Sequence, residues 1–461
     1  MSLEGPDPEA ALKFCVSFIV NGPWRRYDFC RRCREYWPRG DRITDTRTMN
    51  ILFIHQNYPA QYKHILEWLV LSGQHTIVFL TQKQVPPTKT HHVIIYKPDH
   101  QTAPDAYPYS AEFERCCANG AKVADICRNL EGQGFKPHLI IGHSGWGETL
   151  FLKELWPDVP VLAYFEYFYT AKGGAVGFDP EFPISDAMPY IMSARNAVNH
   201  LAYAAADLAQ TATEWQKKGY PKSFHDKIKV LHEGIRTEVC VPNRSASARL
   251  GRLENPITRH DEVFTYMGRN MEPVRGFHIF MRALPHILEA RPNARALIIG
   301  GKDVSYGRAP GPDATYRGLL ETEVGDRIDW SRVHFLGHVP YEVFLAVIQL
   351  SRCHIYLTVP FVLSWSLLEA MSMEATVVAS NTAPVREVIE DGRNGFLVDF
   401  FSPTELAAKV VDVLKHRTNH HDIGQAARKH IVAKYDFHKV CLRAQLRTIN
   451  KLLPKRMRLE A

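Results

Sequence analysis

The sequence predicts an α/β protein of two Rossmann-like, doubly wound domains that face each other across a cleft. At 461 residues the chain is longer than one hydrophobic core of ordinary size encloses. Apolar strand-like runs alternate with helical patterns over most of its length, as they do in parallel sheets with helical crossovers. A unit of strand, turn, helix and strand opens near Asn50 and again near Glu262, so the plan occurs twice.

The composition is that of a soluble globular protein, with 45% hydrophobic and 23% charged residues. No apolar run reaches the roughly eighteen residues of a transmembrane helix. The net charge of +7 suits an anionic substrate or loose attraction to an anionic membrane surface. The sequence lacks the concentrated basic stripe that nucleic acid binding requires. We therefore expect a cytoplasmic protein that binds no nucleic acid, with peripheral contact at the inner face of a membrane left open.

The first 48 residues differ from the rest of the chain. They are rich in Arg, Trp and Cys, and the strand pattern begins only at Met49. We interpret residues 1–48 as a non-essential N-terminal extension, the alternative being a small accessory segment packed on the surface. Cys30 and Cys33 form a CxxC pair, but no second pair completes a zinc site. The nine scattered cysteines favour free thiols in a reducing compartment, and no metal site is predicted.

The first domain is predicted over residues 49–241. Its first strand, the run NILFIHQ from Asn50, is apolar throughout and suits a strand buried on both faces of a parallel sheet. Helical spacing follows over residues 59–72 and stops at Gly73. Further strands are predicted in HTIVFLTQ, PHLIIGHSG, VPVLAYFEY and IKVLHEGI. The segment GGAVGFDPEFP from Gly173 is interpreted as a flexible loop that covers the acceptor.

Two polar residues of this domain follow the ends of predicted strands. His143 ends PHLIIGH, and Glu166 ends VPVLAYFE. Because open α/β sheets bind ligands at the carboxyl ends of their strands, both are candidates for direct involvement in catalysis. The alternative is that they are ordinary hydrogen-bonding residues of loops.

The second domain is predicted over residues 261–435, after a polar, Arg-rich linker at residues 242–260. Its strands are predicted in EVFTYMGR, ARALIIGG, VHFLGHV, HIYLTV and TVVASN, with a helix in GFHIFMRALPHILEARP. Residues 436–461 are predicted to form a C-terminal helix that can cross back to the first domain. A ligand cleft between the two sheets follows from this arrangement.

The turn after the first strand of the second domain predicts an anion site. That strand ends at Gly268, and Arg269 and Arg275 follow in GRNMEPVRGF, just before a helix that begins near Phe277. A cation at a helix N-terminus opposes the helix dipole, and a bound anion removes the conflict. Arginine suits a diphosphate because its planar fork bonds two oxygens at once. The alternative is that both arginines are plain surface residues.

A second candidate site lies in PFVLSWSLLEAMSMEA. Ser366 and Glu369 have the spacing of a capping box that opens a helix, which is a structural role for Glu369. The functional alternative is a carboxylate in the cleft that accepts hydrogen bonds from the two hydroxyls of a ribose. Ser364, Trp365 and Ser366 are then candidates for contact with the phosphates or the sugar.

The series GRNMEPVRGF, LLEAMSMEATVVAS and APVREVIEDGRNGFLVD resembles the donor half of bacterial-type family 4 retaining glycosyltransferases, which have the GT-B fold. The resemblance covers Met49 to about Asp436. It implies that Arg269 and Arg275 grip the donor diphosphate, with Arg275 where the family usually has Lys, and that Glu369 binds the ribose. It also implies retention of configuration, with no metal ion and no cofactor beyond the nucleotide-diphosphate sugar used as co-substrate.

One position departs from the family pattern. Phe361 stands eight residues before Glu369, where the family has a Glu that usually contacts the transferred sugar. Two rival functions therefore stay open, a sugar-nucleotide epimerase of the same fold and a catalytically silent nucleotide-sugar-binding partner. The resemblance implies a UDP- or GDP-sugar donor and a saccharide, lipid-linked or small-molecule acceptor, as in the biosynthesis of polysaccharides or glycoconjugates.

Overall fold

The computed structural model describes residues 48–249, 256–416 and 420–460. The predicted N-terminal extension therefore lies outside the described residues, except for Thr48. Two α/β domains, each built on a parallel β-sheet, form the molecule, as the sequence predicts. Among the helices of these described ranges, none combines the length and the apolar character that crossing a bilayer requires.

The first sheet has seven parallel strands in the order β3-β2-β1-β4-β5-β6-β7. The order reverses direction beside β1, which is where open sheets of this kind bind ligands. Its strands are β1 Asn50–Ile54, β2 Thr76–Thr81, β3 His92–Ile95, β4 Leu139–His143, β5 Val161–Tyr164, β6 Leu208–Thr211 and β7 Ile228–Val230. Its helices are α1 Lys63–Ser72, α2 Ala111–Gly132, α3 Leu152–Leu155, α4 Met188–Arg195, α5 Ala197–Ala205 and α6 Glu214–Gly219.

The second sheet has six parallel strands in the order β12-β11-β10-β13-β14-β15, and its direction reverses beside β10. The strands are β10 Val263–Asn270, β11 Arg295–Gly301, β12 Val333–Gly337, β13 Cys353–Tyr356, β14 Thr376–Ser380 and β15 Phe396–Val398. The helices are α7 Phe277–Ala290, α8 Tyr316–Val324, α9 Tyr341–Leu350, α10 Trp365–Ser372, α11 Pro403–Lys415 and α12 His421–Tyr435. The segment predicted as a linker contributes a short antiparallel pair, β8 Ser247–Ala248 and β9 Ile257–Thr258.

The end of the chain packs on the first sheet. Helix α13, Leu442–Ile449, places Leu442, Leu446 and Ile449 in the same buried cluster as Ile51 and Phe53 of β1. Burial of such aliphatic side chains is the main favourable term that holds the segment there. The crossover that joins α12 to α13 therefore ties the two domains together a second time, in addition to the segment between β7 and β10.

Candidate functional site

The carboxyl ends of the central strands of both sheets meet at the space between the domains. The first sheet presents His55 after β1, His143 at the end of β4 and Glu166 shortly after β5. The second presents Arg269 at the end of β10 and Arg275 immediately before α7. Arg269 adds to the electrostatic environment of both His55 and Glu166 across the domain boundary. The structure thus brings the predicted first-domain residues and Arg269 into one electrostatic neighbourhood.

Glu166 belongs to a hydrogen-bonded network at the end of the first sheet. Gln61 donates from Nε2 to Oε1 of Glu166 over 2.7 Å, and accepts from Nε2 of His55 over 2.6 Å. Nε2 of His143 lies 3.4 Å from Oε2 of Glu166, while Nδ1 of His143 accepts from the Gly145 backbone N–H. The ring of His143 is buried and stacks on Trp146, with 4.1 Å between ring centres. A hydrogen bond from Gln61 therefore fixes Oε1 of Glu166, while Oε2 lies beside the His143 ring.

These contacts favour the ionised form of Glu166. Burial alone would raise the pKa of this carboxyl, but the neighbouring His143, together with Arg269 and Gln61, brings it below its usual value. Burial, followed by the neighbouring His143, holds the pKa of His55 well below its usual value, so that ring is neutral. The first domain accordingly offers a fixed negative charge that faces the cationic edge of the second domain.

Arg275 is buried at the turn that precedes α7. Its Nη1 donates to Oγ1 of Thr358 over 2.9 Å and to the carbonyl of Val362 over 3.2 Å. Gly276 follows with a φ of +63° and caps the helix, and a side chain there would clash with Leu357 at 2.5 Å. This close approach brings the start of α7 against β13, so its free backbone N–H groups and the Arg275 guanidinium lie together. The pair has the composition of an anion site.

Arg269 lies in an irregular part of β10. The pairing register of β10 with β11 shifts between Met267 and Asn270, a bulge that contains Gly268 and Arg269. Unlike Arg275, Arg269 is exposed. Its guanidinium carbon lies 5.9 Å from the centre of the Tyr306 ring, and that of Arg275 lies 5.7 Å from the same ring. Tyr306 therefore stands beside both cations.

Three aromatic rings form a surface, here called the aromatic wall, which consists of Tyr167, Tyr306 and Phe361. The centre of the Phe361 ring lies 5.0 Å from that of Tyr167 and 4.9 Å from that of Tyr306. The guanidinium carbon of Arg275 lies 5.5 Å from the centre of Phe361. Tyr167 belongs to the first domain and the other two rings to the second. Phe361 is thus half-buried in a cluster that spans both domains.

The predicted capping box of Ser366 and Glu369 is wrong. Helix α10 begins at Trp365, and the side chain of Ser364 accepts the Ser366 backbone N–H as its cap. The extended backbone of Ser364 places the helix start two residues earlier than the spacing suggested, so Ser366 lies within the first turn. Glu369 is free of any capping role. Its Oε1 accepts instead from the hydroxyl of Tyr341 over 2.7 Å.

Several further contacts join the two domains around the candidate site. Trp365 donates its indole N–H to Glu233 over 3.1 Å and stacks on His64. Glu387 accepts the backbone N–H groups of Glu214 and Trp215 at the first turn of α6. Trp365, predicted for the donor, therefore already has a polar partner in the first domain.

The segment of residues 173–182, here called the strap, is a loop, as the sequence predicted, and it makes specific contacts with the second domain. The Phe178 ring stacks on Phe401, with 5.1 Å between centres. Glu181 forms two bonds of 2.6 and 2.7 Å with Arg282, and Oδ2 of Asp179 lies 2.9 Å from Nε2 of His278. Charged and polar groups thus fasten the strap to α7, and the aromatic contact fastens it to the loop after β15.

The strap also contains a combination of residue types that can ligate metals. Within the three described ranges, Asp179, Glu181 and His278 are the group whose ligand atoms all lie within 4.8 Å of one another. Both oxygens of Glu181 are bonded to Arg282, so this carboxylate is already paired, and the group consists of one ion pair beside a contact between Asp179 and His278. None of the predicted donor-binding or catalytic residues belongs to this group.

Gln61, Tyr341, Glu233 and Tyr306 were missed at the level of sequence. Gln61 and Tyr341 lie 105 and 28 residues from the carboxylates that they contact, so no local motif links them. Gln61 did carry a weak signal, because it follows β1 within the HQNYPAQY segment at the carboxyl edge of the sheet.

Comparison with known families matches both halves of the chain. Residues 73–240 match the family model described as "Glycosyl transferase family 4 group", and residues 252–430 match "Glycosyl transferases group 1". The boundary between the two matches falls between the two parallel sheets.

Two curated relatives are distant. Spore coat protein SA of Bacillus subtilis is 25% identical over 235 residues, which cover 47% of this chain and 57% of that protein. The D-inositol 3-phosphate glycosyltransferase of Corynebacterium glutamicum is 27% identical over 299 residues, 63% of this chain and 65% of that protein. The chain therefore spans less than two thirds of the length of either relative.

Solved structures share the fold. HepE of Anabaena, in complex with UDP and glucose, superposes with a TM-score of 0.64 at 15% identity, covering 87% of this chain and 99% of HepE. Sucrose-phosphate synthase from Thermosynechococcus elongatus gives a TM-score of 0.66 at 16% identity, with 88% and 99% coverage. At such identities the likeness concerns the architecture of two domains and the cleft between them.

Proposed function

The chain belongs to the family 4-like glycosyltransferases of the GT-B fold, and we propose that it transfers a sugar from a nucleotide-diphosphate sugar to an acceptor hydroxyl. The observation that carries the proposal is the opposition of two charges across the domain boundary. Arg269 and Arg275 of the second domain form the cationic side, and the ionised Glu166, bonded to Gln61 and adjacent to His143, forms the anionic side.

The donor is proposed to lie along the second domain. Its diphosphate would lie at the N-terminus of α7, where Arg275 and the unpaired backbone N–H groups of the first turn favour negative charge. Its ribose would bind to Glu369 on α10, whose carboxylate is buried and bonded to Tyr341. A UDP-sugar is the donor to test first, because HepE has been solved with UDP; a GDP-sugar is the alternative.

The chemistry needs charge stabilisation at two points. The bond between the anomeric carbon and the diphosphate oxygen breaks, and a bond from that carbon to the acceptor oxygen forms. Arg269 and Arg275 would stabilise the negative charge that grows on the leaving diphosphate. Glu166 would stabilise the positive charge that grows on the sugar, since its carboxylate is ionised. The acceptor proton passes to the leaving diphosphate oxygen, so no separate base, metal ion or cofactor is required.

This route corresponds to retention of configuration, because acceptor and leaving group then occupy the same face of the sugar. The acceptor side belongs to the first domain, where His143 stands next to Glu166. A saccharide, a lipid-linked acceptor or a small molecule fits the proposal equally. The six cysteines within the described residues are free thiols, which supports a cytoplasmic location; peripheral contact with the inner face of the membrane belongs to the proposal for a lipid-linked acceptor.

The experiment is a thermal-shift panel of nucleoside diphosphates and nucleotide sugars, because ligand binding raises the melting temperature by mass action. The donor found this way is then incubated with candidate acceptors, and the configuration of the product is read by NMR. A glycoside with the anomeric configuration of the donor is the expected product, formed equally after dialysis against a chelator. Conversion of the donor to an epimer without acceptor would favour the epimerase, and binding without turnover would favour the silent partner. Absence of any nucleotide effect would contradict all three.

A further inference from the structure

We infer that the sugar of the donor binds by stacking on the aromatic wall of Tyr167, Tyr306 and Phe361, and that the enzyme selects a pyranose with an exposed C–H face. This inference rests on the proposed function and deepens it. A donor sugar is bonded directly to its diphosphate, so it lies next to the guanidinium groups that hold the phosphates. The rings beside those groups are Tyr306 and Phe361, at 5.5 to 5.9 Å from the guanidinium carbons.

The chemistry of the wall differs from that of a hydrogen-bonding sugar site. Phe361 has no hydrogen-bonding atom, and the hydroxyl of Tyr167 already accepts the Ala175 backbone N–H over 3.1 Å. The faces of aromatic rings carry partial negative charge, so they attract the polarised C–H bonds of a pyranose face. Recognition of the sugar hydroxyls is then left to polar side chains elsewhere in the cleft, such as Glu166.

Hydrogen bonds hold the backbone of the Tyr306 segment of the wall in position. The backbone N–H groups of Ser305 and Tyr306 both donate to Oε2 of Glu272, over 3.0 and 2.9 Å, and Glu272 is fully buried. Asn270 donates to the Ser305 hydroxyl over 2.8 Å. The side chain of Tyr306 nevertheless stays 44% exposed, so its ring remains open to a ligand. An anchored backbone beneath an accessible ring is the arrangement that stacking requires.

The test compares a nucleotide with and without its sugar. Titration calorimetry measures the affinities of UDP and UDP-glucose, and of GDP and GDP-mannose, for the wild type, Phe361→Leu, Tyr306→Leu and Tyr107→Leu. Tyr107 is the matched control because it is an aromatic ring that is 67% exposed. Leucine keeps an apolar side chain but removes the ring. Tyr306→Leu guards against misfolding of the Phe361 variant, since the Tyr306 side chain is the more exposed.

We expect the affinity for the nucleotide sugar to fall about three- to tenfold in both wall variants, the scale of an aromatic contact, with the affinity for the bare nucleotide unchanged. Tyr107→Leu should change neither. Equal losses for nucleotide and nucleotide sugar would overturn the inference, because Phe361 would then act only by supporting Arg275. Unchanged affinity for both ligands in both wall variants would overturn it as well. Failure of the wild type to bind any of the four ligands would overturn the proposed function, and the inference with it.

Discussion

The hydroxyl of Tyr341 donates a hydrogen bond of 2.7 Å to Oε1 of Glu369, and the ammonium of Lys63 lies 4.5 Å from the centre of the same tyrosine ring. Lys63 belongs to the first domain and the other two residues to the second. Burial raises the pKa of Glu369, while the Tyr341 bond and the Lys63 charge counteract this rise. The two domains thus combine to hold one carboxylate at the edge of the cleft.

Replacing Glu369 tests its assignment to the ribose. We expect Glu369→Gln to weaken nucleoside diphosphate binding about tenfold to a hundredfold, because a charge-assisted hydrogen bond is worth ~1.5–3 kcal/mol. The thermal midpoint of the unliganded protein should change little, since glutamine can still accept from Tyr341. Titration calorimetry provides the measurement, with Glu342→Gln on the exposed side of α9 as the control. Wild-type affinity in the Glu369 variant would remove this residue from the donor site.

Arg275 is expected to recognise phosphate through its positive charge and through the paired N–H donors of its planar guanidinium group. Arg275→Ala should weaken diphosphate binding by ~1.5–3 kcal/mol and leave binding of the bare nucleoside nearly unchanged. Arg275→Lys should lose less, because the charge remains. Since Arg275 also bonds Thr358 and Val362, the thermal midpoints of both variants must be measured alongside. A parallel loss of nucleoside and diphosphate binding would instead assign Arg275 to the fold.

Long apolar runs made the sheets predictable from the sequence. The central strands β1, β4, β10 and β14 are buried along nearly their whole length, so their composition alone marked them. Three strands of the two parallel sheets were missed: β3 lies at a sheet edge and is half exposed, β15 has only three residues, and β6 contains the polar pair of Gln210 and Thr211. Short or partly polar strands take their conformation from neighbours in space.

The site was predictable to the extent that it follows strand ends. His143, Glu166, Arg269 and Arg275 could be chosen because the carboxyl ends of parallel strands share one edge. The cap of α10 could not, since Ser364 and Ser366 are both good capping residues and only the backbone conformation decides between them. The aromatic wall could not either, because Tyr167, Tyr306 and Phe361 are far apart in the chain, and Tyr167 meets Phe361 only when the domains face each other.

The strap is expected to limit the opening of the cleft. Glu181→Gln removes the charge that pairs with Arg282, so amide hydrogens of residues 173–182 should exchange faster, and bound donor should dissociate faster. The matched control is Glu323→Gln, because Glu323 bonds the same Arg282 but belongs to α8 of the second domain. Hydrogen exchange read by mass spectrometry, with stopped-flow release of a fluorescent nucleotide, makes the comparison. Identical behaviour of the two variants would show that the strap does not control opening.

Stability should fall with acid because of buried neutral histidines. Burial lowers the pKa of His354 to about 4, and its Nδ1 lies 2.8 Å from the Thr265 hydroxyl. Below pH ~6.5 this histidine is protonated in the unfolded chain but stays neutral in the folded protein. The free energy of unfolding therefore decreases as the pH falls from ~6.5 to about 4, by up to ~3 kcal/mol. Thermal midpoints measured across this range should fall less steeply in His354→Gln. Parallel pH profiles for the two proteins would contradict this account.

Glu166 is expected to act on the transition state and not on donor binding. Glu166→Gln keeps the size of the side chain but removes its charge, so kcat should fall about a hundredfold or more, while nucleotide affinity stays within about a factor of two. His143 is a positioning residue for this carboxylate. The His143 ring, whose Nε2 lies 3.4 Å from Oε2 of Glu166, helps to lower the pKa of that carboxyl, so His143→Asn should shift the acidic limb of the kcat profile towards higher pH. A profile that does not move, together with an unaltered kcat in Glu166→Gln, would leave the first domain without a catalytic charge.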